Sequence, residues 1–215
     1  MRIVPQSIAI ETVDGLPING QAVIKFIERL GRVCYKSECR ITDDSAATFV
    51  KRLIDSKHES VIEHYSVTVR VVCDRGISHE IVRHRIAAYS QESTRYCNYG
   101  KANEITVIQP PAMTPGQELA WQIGVEGAER SYMVMLACGA TPQIARSVLP
   151  TCLKTEIVAT YNLRQWRHFF RMRTALAAHP QIREVAGWAL EEFKRTIPIV
   201  FDDITLPEPI VAKAT

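Results

Sequence analysis

The chain has 215 residues and a mass of 24.2 kDa, enough for one domain and for a core that needs no disulfide or metal staple. Hydrophobic residues make up 47% and charged residues 23%, which excludes a wholly disordered or fibrous chain. The net charge of +3 is too mild to mark a dedicated nucleic-acid binder by bulk charge.

Ser7 to Val13 alternates apolar and polar residues as a strand does. From Ala22 to Tyr35, the residues Val23, Phe26, Ile27 and Leu30 share one helical face. Thr42-Asp-Asp-Ser supplies N-cap candidates for a second helix running to about Asp55. Val67 to Cys73 reads as a strand and about Ile77 to Arg85 as a helix, so Arg83-His84-Arg85 stands at a helix end. Ala88 to Gly100 is polar and broken, a loop. Ile105 to Ile108 is a short strand closed by prolines. Pro115 to Cys138 reads as a long helix weakened by Gly124 and Gly127. Pro142 opens a short helix that Pro150 stops. Ile157 to Tyr161 is a strand, and Leu163 to Ala175 and Pro180 to Arg195 are helices. The Pro-rich tail from about Leu206 is expected to be loose. Helices and strands alternate without repeat, linker or composition break, so the expectation is one α/β domain over residues 1–215 with a mixed sheet.

The longest strongly apolar run, Tyr132 to Ala140, is too short for a membrane helix. The first residues lack the apolar core of a secretory signal. Six cysteines occur without a Cys-x-x-Cys pair and read as reduced thiols, most of them buried, in a cytoplasmic protein. Dinucleotide, phosphate-loop and nucleophile-elbow motifs are missing. His58 and His64 stand six apart, which does not share a helix face as zinc ligands would; no metal is expected.

The arginines stand out instead. Arg83, Arg85 and Arg95 fall in one region with Ser93 and Thr94 between them. Guanidinium forks with loop hydroxyls suit phosphate, although a positive helix end favoured by the macrodipole gives the same pattern. A second cluster tips the balance. From Ile157 to Arg183 there is no Asp or Glu, yet Arg164, Arg167, Arg171, Arg173 and Arg183 all lie there. On a helix, Arg164, Arg167, His168 and Arg171 share a face, and Arg173 lies opposite with Asn162, Trp166 and Phe169. An arginine on the aromatic face needs a carboxylate from afar, a route to water or an anionic ligand. With Arg146 in a third segment, the pattern suggests a ligand with several phosphates, or two phosphorylated ligands side by side. A nucleic-acid-binding module built on the helix from Arg164 to Arg173 is the alternative, disfavoured by the few aromatics nearby.

Four segments together carry a resemblance. Arg83-His84-Arg85, seven residues and Ser93-Thr94-Arg95-Tyr96 form one. His58-Glu59-Ser60-Val61-Ile62-Glu63-His64 is the second, Ala145-Arg146-x-x-Leu149-Pro150 the third, and Asn162-x-Arg164-x-x-x-His168-Phe169-x-x-x-Arg173 the fourth. In order and spacing they resemble the flavin-dependent thymidylate synthases, over roughly His58 to Arg173. The resemblance implies an α/β homotetramer with active sites shared between subunits and no membrane or nucleic-acid partner. It implies FAD as cofactor and reductive methylation of dUMP to dTMP with methylenetetrahydrofolate and NADPH.

By the same resemblance, Arg173 is the catalytic residue, holding the uracil ring and stabilising its deprotonated imide. Glu80, Arg83, Gln91, Glu92, Ser93, Thr94, Arg95 and Arg146 join it around dUMP. His58, Ser60, Arg83, His84, Arg85, Gln91, Asn162, Arg164 and His168 are expected at FAD. No cysteine is needed as a nucleophile, since the hard chemistry belongs to the cofactors. Where members of that family often carry Ser and Gln, this chain has Ala88 and Glu80.

Overall fold

A computed structural model describes residues 1–207; the expected loose tail lies largely outside the described residues. In chain order the strands are β1 (Arg2–Ile3), β2 (Ser7–Glu11), β3 (Ser66–Asp74), β4 (Ala88–Gln91), β5 (Thr106–Val107) and β6 (Lys154–Asn162). The helices are α1 (Gly20–Arg32), α2 (Ser45–Asp55), α3 (Arg75–Ile81), α4 (Pro115–Ala137), α5 (Pro142–Ala145), α6 (Leu163–Arg173) and α7 (Pro180–Thr196).

Alternation decides the sheet. Val67, Val69, Val71 and Cys73 of β3 and Ile157, Ala159 and Tyr161 of β6 are all buried, because successive side chains of a strand point to opposite faces. The register sets Val67 opposite Tyr161 and Val71 opposite Ile157. On the other face Thr68 and Thr160 hydroxyls meet at 2.8 Å. The sheet order is β2-β3-β6-β4, antiparallel throughout. Parallel pairing is confined to β1 and β5, so the mixed character expected of one sheet is divided between two.

The inner face of the large sheet forms one apolar cluster with α1, α2, α3, α6 and α7. Trp166, Phe169 and Phe170 of α6 lie in it, each worth about 1.5–3 kcal/mol on burial. A smaller cluster joins Ile105, Val107, Val125, Tyr132 and Leu153. At the start of α1 a Cβ on Gly20 would come 2.1 Å from the Thr196 carbonyl oxygen, so only glycine lets α1 approach the end of α7 this closely.

Three expectations are corrected. Residues 88–91 form the edge strand β4 rather than loop, because Tyr89 and Gln91 pair with Ala159 and Ile157 of β6; long-range pairing overrides the polar composition. Helix α3 begins earlier and stops earlier than its apolar pattern suggests. Asp74 caps it, accepting from the Ile77 N–H at 2.7 Å. Its end is set by the Tyr89 hydroxyl, which lies 2.8 Å from the Ile81 carbonyl and 2.6 Å from that of His84, so the Ile81 oxygen is taken up before Arg85 can continue the helix. Arg83-His84-Arg85 is therefore a turn beyond the helix.

The cysteines are the third correction. Cys34, Cys39 and Cys138 are exposed and Cys97 is half-buried; only Cys73 and Cys152 are buried. Cys34 and Cys39 sit on the short turns Val33–Tyr35 and Glu38–Arg40, which run over the surface. Burial pushes the Cys73 thiol up to about 12 and also raises Cys152. Neither carries the thiolate that a nucleophile needs.

Candidate active site

Helix α6 is aimed by its own residues. The Asn162 carboxamide caps it, accepting from the Gln165 N–H at 2.8 Å, and the Trp166 indole N–H donates to the Val67 carbonyl at 3.0 Å. This fixes the helix against β3 and carries Arg173, its last residue, to the turn after α3. Three contacts hold that guanidinium. Nε donates to His84 Nε2 at 3.0 Å, Nη1 to Glu80 Oε2 at 2.8 Å and Nη2 to the Glu80 carbonyl at 2.9 Å. A guanidinium has five N–H donors, so one on each terminal nitrogen stays free for a ligand.

His84 is 4% exposed, and its protonation is settled by chemistry. Burial, then the Arg173 and His168 charges, lower its pKa to about 4, so it is neutral. Because the arginine Nε always donates, Nε2 must present its lone pair and Nδ1 must carry the proton. Gln165 Nε2 lies 3.3 Å from Nδ1, so a hydrogen bond with the protonated Nδ1 requires the carboxamide turned the other way, oxygen toward the ring. Both ring nitrogens are engaged and the ring is enclosed by Tyr161, His168 and Phe169, so the His84 imidazole keeps no free donor of its own.

A second group of site residues lies in the segment after β4. Ser93 Oγ accepts from the Arg95 N–H at 3.3 Å, and the Ser93 carbonyl accepts from the N–H groups of Tyr96 and Cys97. Buried Thr94 accepts from Arg146 Nη1 at 3.1 Å, which brings Arg146 to the Ser93–Arg95 turn. Arg95 and Arg146 are exposed and, among the described residues, neither has an acidic partner; the same holds for Arg83 and Arg85. Gln91 and Glu92 are committed elsewhere: Gln91 donates to Ser78 and Thr155, and Glu92 binds Tyr99 and Lys154. No hydrogen bond or ion pair among the described residues joins this group to the one around Arg173.

A third group lines an open cleft of about 480 Å³ formed by Glu59, Glu63, Ile86, Asn162, Arg164, Gln165, His168 and Arg171. His58 and Ser60 are exposed at the start of the turn Glu59–His64 beside it. Carboxylates distant in sequence answer the acid-free arginine run. Arg164 pairs with Glu63, Arg171 with Glu59 and Asp203 at 3.3 Å each, and Arg167 with Glu59 at 3.0 Å and Asp203 at 2.6 Å. Arg167 also donates to the Val200 carbonyl. It shares a helix face with Arg164, His168 and Arg171, yet its side chain is 0% exposed. Sequence reasoning missed Glu59 and Asp203 as partners, although Glu59 and Glu63 already stood in the His58–His64 segment. These pairings also remove the free basic helix that a nucleic-acid module would need.

The residues at this cleft fit a flavin dinucleotide. Asn162, Arg164 and His168 open into one cleft with Ile86, the neighbour of Arg85, and amide, guanidinium and imidazole are the donors that suit ribityl hydroxyls and phosphate oxygens. A larger cavity of about 580 Å³ has Glu80 in its wall beside Ile77, Trp121 and His179. Among the described residues no three His, Cys, Asp or Glu side chains gather as metal ligands, and no helix is long and apolar enough to cross a membrane.

Comparison with known proteins bears on the same segments. Residues 21–199 match the family described as thymidylate synthase complementing protein. The flavin-dependent thymidylate synthase of Pyrococcus abyssi is 35% identical over 160 residues, which cover 73% of this chain and 66% of that protein. The enzyme of the same name from Mycobacterium sp. strain KMS is 34% identical over 211 residues, covering 87% of this chain and 81% of its own. In fold, the UMP/dUMP methylase PolB from Streptomyces cacaoi, bound with 5-Br dUMP, superposes with a TM-score of 0.78 at 20% identity, covering 94% of this chain and 96% of that one. The match over most of the chain takes in every arginine-bearing segment described above, and the chain belongs to the flavin-dependent thymidylate synthase family.

Proposed function

We propose that this protein converts dUMP to dTMP by reductive methylation, with FAD as cofactor, methylenetetrahydrofolate as carbon donor and NADPH as reductant. One observation carries the assignment of roles: Arg173 is fixed by Glu80 and His84 yet keeps two N–H donors free. Those donors suit the carbonyl oxygens of a uracil ring. Its side chain is 15% exposed, so its charge acts through a medium less screening than water. At about 4 Å a unit charge is worth about 4 kcal/mol at an effective dielectric of ~20, against about 1 kcal/mol in water. Charge that develops on the ring as the imide ionises is therefore stabilised where it appears.

Ser93, Arg95 and Arg146 hold the nucleotide phosphate, and their lack of carboxylate partners supports that role. Glu80 and Arg83 lie at the base. His58, Ser60, Arg83, Arg85, Asn162, Arg164 and His168 hold FAD, with Arg164 exchanging Glu63 for the cofactor. When bound, FAD supplies the carrier of reducing equivalents. The protein is proposed to act as a homotetramer in which two subunits complete each site, as the family resemblance implies; the proposed location is the cytoplasm.

The test is tritium release from 5-labelled dUMP by purified protein supplied with FAD, NADPH and methylenetetrahydrofolate. Flavin absorbance and label release are expected together. Protein that binds no flavin and releases no label from dUMP overturns the proposal.

A further inference from the structure

Arg173 is held on two sides of unequal stiffness. The Nε and Nη2 edge of the fork faces the His84 imidazole and the Glu80 main-chain carbonyl. The Nη1 corner faces only the Glu80 carboxylate, on a side chain 31% exposed. One edge is thus set by an enclosed ring and a main-chain carbonyl, and the other by a partly exposed carboxylate.

The stiffness of the first edge comes from how His84 is built in. Its carbonyl is fixed by the Tyr89 hydroxyl at 2.6 Å, and the same hydroxyl meets Tyr161 at 2.8 Å. Its ring packs edge-on against Phe169 with centroids 5.0 Å apart and against His168 at 5.5 Å. Its Nδ1 meets Gln165, one turn along α6 from Phe169. The imidazole is therefore a wedge between the turn after α3 and the inner side of α6, with its lone pair directed at the last residue of that helix.

We infer that His84 is a positioning residue for Arg173, a buried acceptor that sets the plane of the guanidinium before any nucleotide arrives. The inference rests on the reading of Arg173 as the group that holds the uracil ring. Without the His84 acceptor the Nε donor loses its partner on a side chain only 15% exposed, and the fork is free to rotate about its last torsions. Orientation fixed in advance is what makes a charged donor effective on a developing charge.

Two substitutions of equal polarity separate positioning from packing. A glutamine oxygen reaches about as far from the backbone as histidine Nε2, and an asparagine oxygen only about as far as Nδ1. His84→Gln keeps an acceptor for Arg173; His84→Asn keeps a polar group beside Gln165 alone. Each variant is purified with FAD, and three quantities are measured: flavin content, the Kd for dUMP, and hydrogen exchange of the Arg173 Nε–H by NMR. His84→Asn is expected to bind dUMP at least about tenfold more weakly, as befits loss of a hydrogen bond to a charged group, with flavin content unchanged and the Nε–H exchanging fast. His84→Gln is expected to recover most of the affinity and the slow exchange.

Equal behaviour of the two variants overturns the inference, as does a loss that falls on flavin content instead of dUMP. The Nε–H exchange reports on the Arg173–His84 bond in wild-type protein whatever the substrate is. Slow exchange together with no dUMP binding by the wild-type holoprotein defeats the reading of Arg173, while fast exchange there defeats the role of His84.

Discussion

The Glu80 carboxylate and the Arg173 guanidinium meet at 2.8 Å across 93 positions of sequence. The arginine reserved for an anionic ring thus already has a negative occupant. Replacement of Arg173 by Ala is expected to lower dUMP methylation by about 10²- to 10³-fold while leaving FAD bound, read as turnover against flavin content. Activity within a few-fold of wild type removes Arg173 from its role.

Glu80 competes with the nucleotide for that fork. The Glu80→Gln variant keeps the side-chain shape and the main-chain contact but drops the charge. The KM for dUMP is expected to fall by roughly fivefold, corresponding to about 1 kcal/mol for a partly exposed ion pair. Steady-state kinetics decide the point, and a rise in KM means that Glu80 helps the substrate more than it excludes it.

Arg167 carries structure rather than catalysis. Its guanidinium bridges Glu59, Asp203 and the Val200 carbonyl, tying the turn Glu59–His64 and the segment after α7 to α6. In the Arg167→Leu variant these acceptors lose their partner, with an expected loss of about 3 kcal/mol. Urea denaturation measures it; an unchanged midpoint shows that the acceptors find water instead.

Two arginine groups within one chain predict complementation. Arg95→Ala and Arg173→Ala chains, each inactive alone, are expected to regain partial turnover when co-expressed and co-assembled. Absence of recovery in mixed oligomers argues for a site built within a single chain.

Acid should loosen the centre of the site. His84 is held well below its ordinary 6.5, at about 4, so on acidification the unfolded chain takes up its proton first. Its contribution to stability is full above pH 6.5 and is lost as pH falls from there through about 4. Thermal melts across that window are expected to drop less steeply in His84→Gln than in wild type, and parallel curves dissociate the acid sensitivity from this ring.

Much of this was legible in residue order. The alternation in Val67–Cys73 and Ile157–Tyr161 reports burial on one sheet face, and Pro142 marks a helix start, because both depend on neighbours a few positions away. The spacing of Arg83, Ser93, Arg146 and Arg173 identified the family for a similar reason, since chemistry at a site demands particular side chains at particular offsets. The sequence alone thereby determined most of the secondary elements and the residues worth watching, though not β4 or the end of α3.

Which of those residues are free was decided only in three dimensions. Acid-free sequence around α6 suggested unpaired arginines, yet Glu59, Glu63 and Asp203 arrive from segments 32 to 112 positions away and neutralise three of them. His84 looked like one more polar member of a motif until folding enclosed it among aromatic rings against Arg173. Ion pairing and desolvation depend on distance and dielectric, and no local pattern encodes a partner that only the closed fold brings within 3 Å.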